Sequence, residues 1–70
     1  MADICSEVSG TIWKIEFKVG DKVASGDVLI IVESMKMEIP VEAPRTGVVT
    51  AIKVQEGDTI AEGQVLISIA

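Results

Sequence analysis

Apolar and polar positions along this chain alternate in short runs punctuated by glycine. Trp13, Ile15, Phe17 and Val19 alternate with Lys14, Glu16 and Lys18. A period of two marks a strand with one face in water. It predicts a strand over residues 11–19 with those four apolar residues inward. Residues 28–32 (Val-Leu-Ile-Ile-Val) and 65–69 (Val-Leu-Ile-Ser-Ile) are nearly unbroken apolar runs, as buried strands are. No stretch carries a 3.6-residue apolar stripe, so no helix is expected.

The glycines reveal an internal repeat. Gly10 pairs with Gly47, Gly20 with Gly57 and Gly26 with Gly63, each 37 residues on. Residues 10–33 slide onto 47–70 without a gap. Ile15/Ile52, Asp21/Asp58, Ala24/Ala61, Val28/Val65, Leu29/Leu66 and Ile30/Ile67 are identical in that register. Each half then reads as a strand (11–19, 48–54), a Gly-Asp turn, a short apolar piece (23–24, 60–61), a second glycine turn and a buried strand (28–32, 65–69). Glycine supplies the positive φ that such turns need. Residues 4–9 align with 41–46 at the same offset and add a further piece to each half. Neither half can bury its apolar face alone. The expectation is therefore all-β. Two four-stranded antiparallel sheets of eight short strands pack as a flattened barrel or sandwich with pseudo-twofold symmetry. They form one domain over 1–70, with half-repeats about 4–33 and 41–70.

Between the halves lies a hairpin at 34–38. It puts Lys36 at a tip between Met35 and Met37, with Glu33, Ser34 and Glu38 beside it. An exposed lysine is ordinarily a solubilising charge, and its place at the midpoint of a gapless repeat sets this one apart. Glu33 and Glu38 read as a solvated rim, since nothing predicts the cleft that an acid/base pair needs. Methionine suits both packing and adaptable binding surfaces, so Met35 and Met37 fit either role.

Composition narrows the function. The chain has 70 residues, 11 acids, 6 bases, a net charge of −5 and no histidine. Acidity argues against nucleic acid and favours a monomer that repels its own copies. No apolar run is long enough to span a bilayer. One cysteine, Cys5, allows no internal disulfide, which points to the cytoplasm. Without histidine there is no triad, no thiol–imidazole pair and no metal-ligand cluster, so an enzyme is not expected.

Residues 33–38 (Glu-Ser-Met-Lys-Met-Glu), set within Gly10-Thr11-Ile12, Val19-Gly20-Asp21, Gly47-Val48-Val49 and Glu56-Gly57-Asp58, resemble the biotinyl/lipoyl attachment domain. The likeness covers nearly the whole chain and lies closest to free-standing biotin/lipoyl attachment proteins of the biotin carboxyl carrier type. It implies a barrel-sandwich hybrid fold and a covalent biotin on Lys36. It also implies that Met35 and Met37 flank the modified residue and that Glu33, Ser34 and Glu38 take part in ligase recognition. A biotin protein ligase would supply an activated biotin. A lysine amine is protonated at neutral pH, so activation falls to that enzyme. The cofactor would then shuttle carboxyl groups between a biotin carboxylase and a carboxyltransferase. Some carriers insert a thumb in the first half, and the gapless repeat predicts none here. Lipoyl domains typically place Asp and Ala beside their lysine. Lipoate on Lys36 nevertheless stays an alternative, as does an adaptor module of the same fold with no cofactor.

Overall fold

Eight strands form in the computed structural model, which describes residues 2–70. They are β1 (Ala2–Cys5), β2 (Gly10–Ile15), β3 (Lys22–Val23), β4 (Val28–Ser34), β5 (Met37–Glu42), β6 (Gly47–Ile52), β7 (Thr59–Ile60) and β8 (Val65–Ile69). One sheet runs β1-β8-β6-β3 and the other β5-β4-β2-β7, every pair antiparallel. The sheets stack as a sandwich and do not close into a barrel. The 37-residue offset carries one sheet onto the other: β1 onto β5, β2 onto β6, β3 onto β7 and β4 onto β8. Each sheet takes its two-residue edge strand from the opposite half, so the halves are interleaved.

Backbone hydrogen bonds obey the same symmetry. Gly20 N–H donates to the Val49 carbonyl at 2.8 Å, and Gly57 N–H donates to the Ile12 carbonyl at 2.8 Å. Both glycines have positive φ, 95° and 94°, as their turns require. Asp21 and Asp58 each accept from the backbone N–H three residues earlier, at 3.0 and 2.9 Å. The connections 16–21 and 53–58 match in length, which leaves no thumb.

The inward alternation along β2 departs from the expectation. Trp13 is 49% exposed and Val19 59%, while Ile12 is 1% exposed. At Trp13 a β-bulge is the cause, whereas Val19 lies beyond the end of β2, where the chain enters the Gly20 turn. Ile12 pairs with Val32 and Lys14 with Ile31, so Trp13 is the extra residue. A bulge resets which face later residues occupy. Trp13 and Lys14 both face water, and Ile15 and Phe17 still turn inward against the core. Thr50 is the mate of Trp13, and the register of β6 slips at Thr50 too. The first strand ends at Ile15, short of the expected 19, because the chain then bends into the Gly20 turn. The short pieces also lie one residue earlier than expected, at Lys22–Val23 and Thr59–Ile60. The first piece is the strand Ala2–Cys5 rather than residues 4–9.

The core is shared equally. Ile12, Leu29, Ile30 and Val32 from one sheet meet Val49, Leu66, Ile67 and Ile69 from the other, all under 2% exposed. Leu29 and Leu66 are again bulge mates, which lets two successive residues in each long strand be buried. Gly10 serves contact rather than conformation: a Cβ there would collide with the Glu33 carbonyl oxygen. That close approach seats β2 under the end of β4, where the hairpin begins.

The lysine hairpin as candidate attachment site

β4 and β5 pair in register from Ile30 with Val41 to Ser34 with Met37. Met35 and Lys36 alone close the turn, with φ of 52° and 64°. The expected link of 34–38 is therefore tighter, because both strands run on to its edge. Positive φ at both central residues is the geometry that matches strand twist in a two-residue hairpin. Asn-Gly normally fills it. An L-residue with a large side chain there costs about 1–2 kcal/mol, so Met35 and Lys36 together hold a strained turn at the end of an ordered sheet.

That turn puts the lysine into water. Lys36 is exposed, Met35 is 91% exposed and Met37 64%. Both methionines are largely open to water, which favours display over packing. Glu33 and Glu38 sit opposite each other one pair below Ser34 and Met37, both exposed. Like charges across a pair are mildly unfavourable, and no cleft encloses them. The two acids form a charged collar around the base of the turn.

A brace fixes the hairpin at its root. Ser34 Oγ donates to the Ser9 carbonyl oxygen at 2.8 Å. Glu62 N–H donates in turn to Ser9 Oγ at 3.3 Å. One loop residue thus links the hairpin to the second-half turn at Gly63. Beside Lys36 lies a shallow open trough lined by Ser9, Gly10, Thr11, Thr59 and Ile60 together with the hairpin itself. Sequence reading singled out Ser34 but missed Ser9, Thr11 and Thr59. No sequence signal marks them, because the repeat sets residue 59 against residue 22 and does not say that β7 pairs with β2. The chemistry on offer is that of one accessible primary amine with a fixed root. No group of His, Cys, Asp and Glu suited to a metal ion occurs among the described residues.

Residues 1–69 match the family model described as "Biotin-requiring enzyme". The chain is 44% identical over 64 residues to the Biotin/lipoyl attachment protein of Bacillus subtilis (strain 168), covering 91% of this chain and 88% of that one. It is 38% identical over 60 residues to the dihydrolipoyllysine-residue acetyltransferase component of the pyruvate dehydrogenase complex of Acholeplasma laidlawii, covering 86% of this chain and 11% of that one. The crystal structure of Kluyveromyces lactis urea carboxylase contains a segment that superimposes with a TM-score of 0.93 at 38% identity. That segment covers 99% of this chain, which spans 6% of that much longer one.

Proposed function

Because the chain belongs to the biotin/lipoyl attachment family, itself a family of carriers rather than catalysts, we propose that it is a biotin carrier whose attachment residue is Lys36. The observation that carries this reading is the Met35-Lys36 turn. Two left-handed residues hold one exposed lysine at the end of a sheet whose root is hydrogen-bonded in place. The residues fit the group: covalent attachment asks for an unshielded amine, and among the described residues nothing buries Lys36.

In the loading reaction a biotin protein ligase would supply biotin as its acyl adenylate. Lys36 Nζ, having given up one proton to become a neutral amine, attacks the acyl carbon; the C–N amide bond forms, the C–O bond to the phosphate breaks with AMP as the leaving group, and the nitrogen gives up a second proton to solvent. When bound, biotin supplies a nitrogen that accepts and releases a carboxyl group. This chain contributes presentation. The Ser34–Ser9 brace fixes the root of the arm, Met35 and Met37 keep an apolar, uncharged surround, and Glu33 and Glu38 collar the base. A biotin carboxylase and a carboxyltransferase are the partners this role requires. A single carrier unit over 1–70, monomeric and cytoplasmic, is part of the same proposal.

Lipoate on Lys36 is the second reading. The identity with the acetyltransferase component favours it; methionine on both sides of the lysine favours biotin. Intact mass decides between them after incubation with a biotin ligase or, separately, a lipoate ligase. One biotin less water gained by the wild type, and nothing gained by Lys36→Arg, is the expected result. A gain only with lipoate moves the protein to the second reading, and a label that persists on Lys36→Arg removes Lys36 from the site.

A further inference from the structure

The sheet that bears the lysine carries on its outer face something its twofold mate lacks. Lys14 of β2, Ile31 of β4 and Pro40 of β5 lie side by side across three strands. Trp13 stands beside Lys14 at the bulge. Trp13 is 49% exposed, Ile31 is half-buried and Pro40 is exposed. Trp13, Ile31 and Pro40 thus make one apolar row on a face turned to water.

The other sheet is a built-in control. At the same places it has Thr50, Ser68 and Asp3, and these satisfy one another. Ser68 Oγ donates to Asp3 Oδ1 at 2.7 Å, and Thr50 Oγ1 donates to the Ser68 carbonyl oxygen at 3.2 Å. The same backbone therefore closes its outer face with polar residues. The apolar row opposite is not a requirement of folding. An exposed tryptophan beside aliphatic surface is the composition of an interface hot spot.

Charge identifies the kind of partner. Glu33 and Glu38 form a row on the side nearer the turn, and exposed Glu16 and Glu42 follow on the far side. Four carboxylates frame the apolar row, with Lys14 as a cation among them. A second copy of this chain, at a net charge of −5, is repelled. A protein with an apolar pocket ringed by lysine and arginine fits.

Chemistry selects which protein. Before attachment, the Lys36 amine differs little from the exposed amines of Lys14, Lys18, Lys22 and Lys53. The loading enzyme has only polypeptide surface by which to choose, whereas later enzymes can grip the cofactor itself. The row lies about 15 Å along the strands from Lys36 at ~3.3 Å per residue, well within one ordinary protein footprint. We propose that the Trp13–Ile31–Pro40 row is the docking surface for the ligase that loads Lys36. The inference rests on Lys36 being the ligated residue.

The test is the initial rate of labelling by a purified biotin protein ligase, with ATP and biotin, as a function of carrier concentration. The key variant, Trp13→Thr/Ile31→Ser/Pro40→Asp, gives this face the residues of its mate. Thr50→Trp is the control on the other sheet. Circular dichroism and thermal unfolding check that each variant is folded; if the triple variant is not, Trp13→Thr alone carries the test. The expected result is a KM raised about tenfold or more by the triple variant, with kcat within twofold, and no change for Thr50→Trp. The wild-type KM also rises with added salt, because the acidic frame is screened. A folded variant with wild-type KM overturns the docking surface and leaves the carrier reading standing. If only a lipoate ligase labels the wild type, the same comparison runs with that enzyme. If neither labels it, the carrier reading and this inference fall together.

Discussion

Ser34 donates its hydroxyl to the backbone carbonyl of Ser9 at 2.8 Å, joining the root of the lysine turn to a residue 25 positions earlier in the chain. The bond is exposed, so its net worth lies at the lower end of the usual range, about 0.5–1 kcal/mol. Ser34→Ala should lower the melting temperature by a few degrees. Faster amide hydrogen exchange at the tip of the hairpin should accompany it, read by mass spectrometry. Unchanged exchange there would show that the hairpin holds its root without the brace.

Met35 is the turn residue to replace, since the role proposed for Lys36 requires its amine. Asparagine tolerates left-handed φ far better than methionine does. Met35→Asn should therefore stabilise the domain by about 0.5–1 kcal/mol, seen as a raised midpoint in denaturant. A lowered midpoint would mean that methionine supports the turn in some way other than by its backbone.

Gly20 and Gly57 test the repeat as well as the turns. Both have φ near 95°, and a Cβ at either meets open space. Valine at either place meets only the backbone penalty, about 1–2 kcal/mol. Gly20→Val and Gly57→Val should lower the melting temperature by similar amounts. Gly10→Ala should be worse than Gly20→Ala, because its Cβ meets a fixed carbonyl oxygen.

Ile12 and Trp13 reverse the ranking that alternation alone suggests. Ile12 is 1% exposed, so Ile12→Val should cost about 0.5–1.5 kcal/mol and Ile12→Ala about 2–5. Trp13→Ala, at an exposed site, should stay within about 0.5 kcal/mol. Urea unfolding of the three variants measures the order. A Trp13→Ala loss exceeding that of Ile12→Val would place the indole inside.

Those two residues also show where sequence reading stopped. The 37-residue register is written in glycines and aliphatic identities, so eight strands, two sheets and the hairpin are legible in the sequence. Bulges are not written that way. A residue inserted opposite Ile31 or Val32 leaves no mark in a list of side chains, and period-two counting runs straight through it. The lysine tip was legible because the turn falls between two apolar runs. The Ser9 brace was not, because a hydroxyl reaching across 25 residues depends on which loop the fold brings alongside. The interleaving of the halves was also hidden, since β3 and β7 are two residues long and could have joined either sheet.

The final pair of β1 and β8, Ala2 with Ile69, is the symmetry mate of Ile39 with Val32. Past Val32 and Ile39 the chain continues two more pairs and closes on Lys36. Past Ile69 and Ala2, two strand ends lie side by side in the equivalent frame. A linker repeating residues 33–38 between them would complete a second lysine turn on the same template. The chain could be reopened at a surface loop such as 16–21. The pseudo-twofold frame thus offers the same two-strand template twice, and within residues 2–70 a lysine turn closes the copy at Val32 and Ile39; a second turn would ask for a new connection rather than a new scaffold.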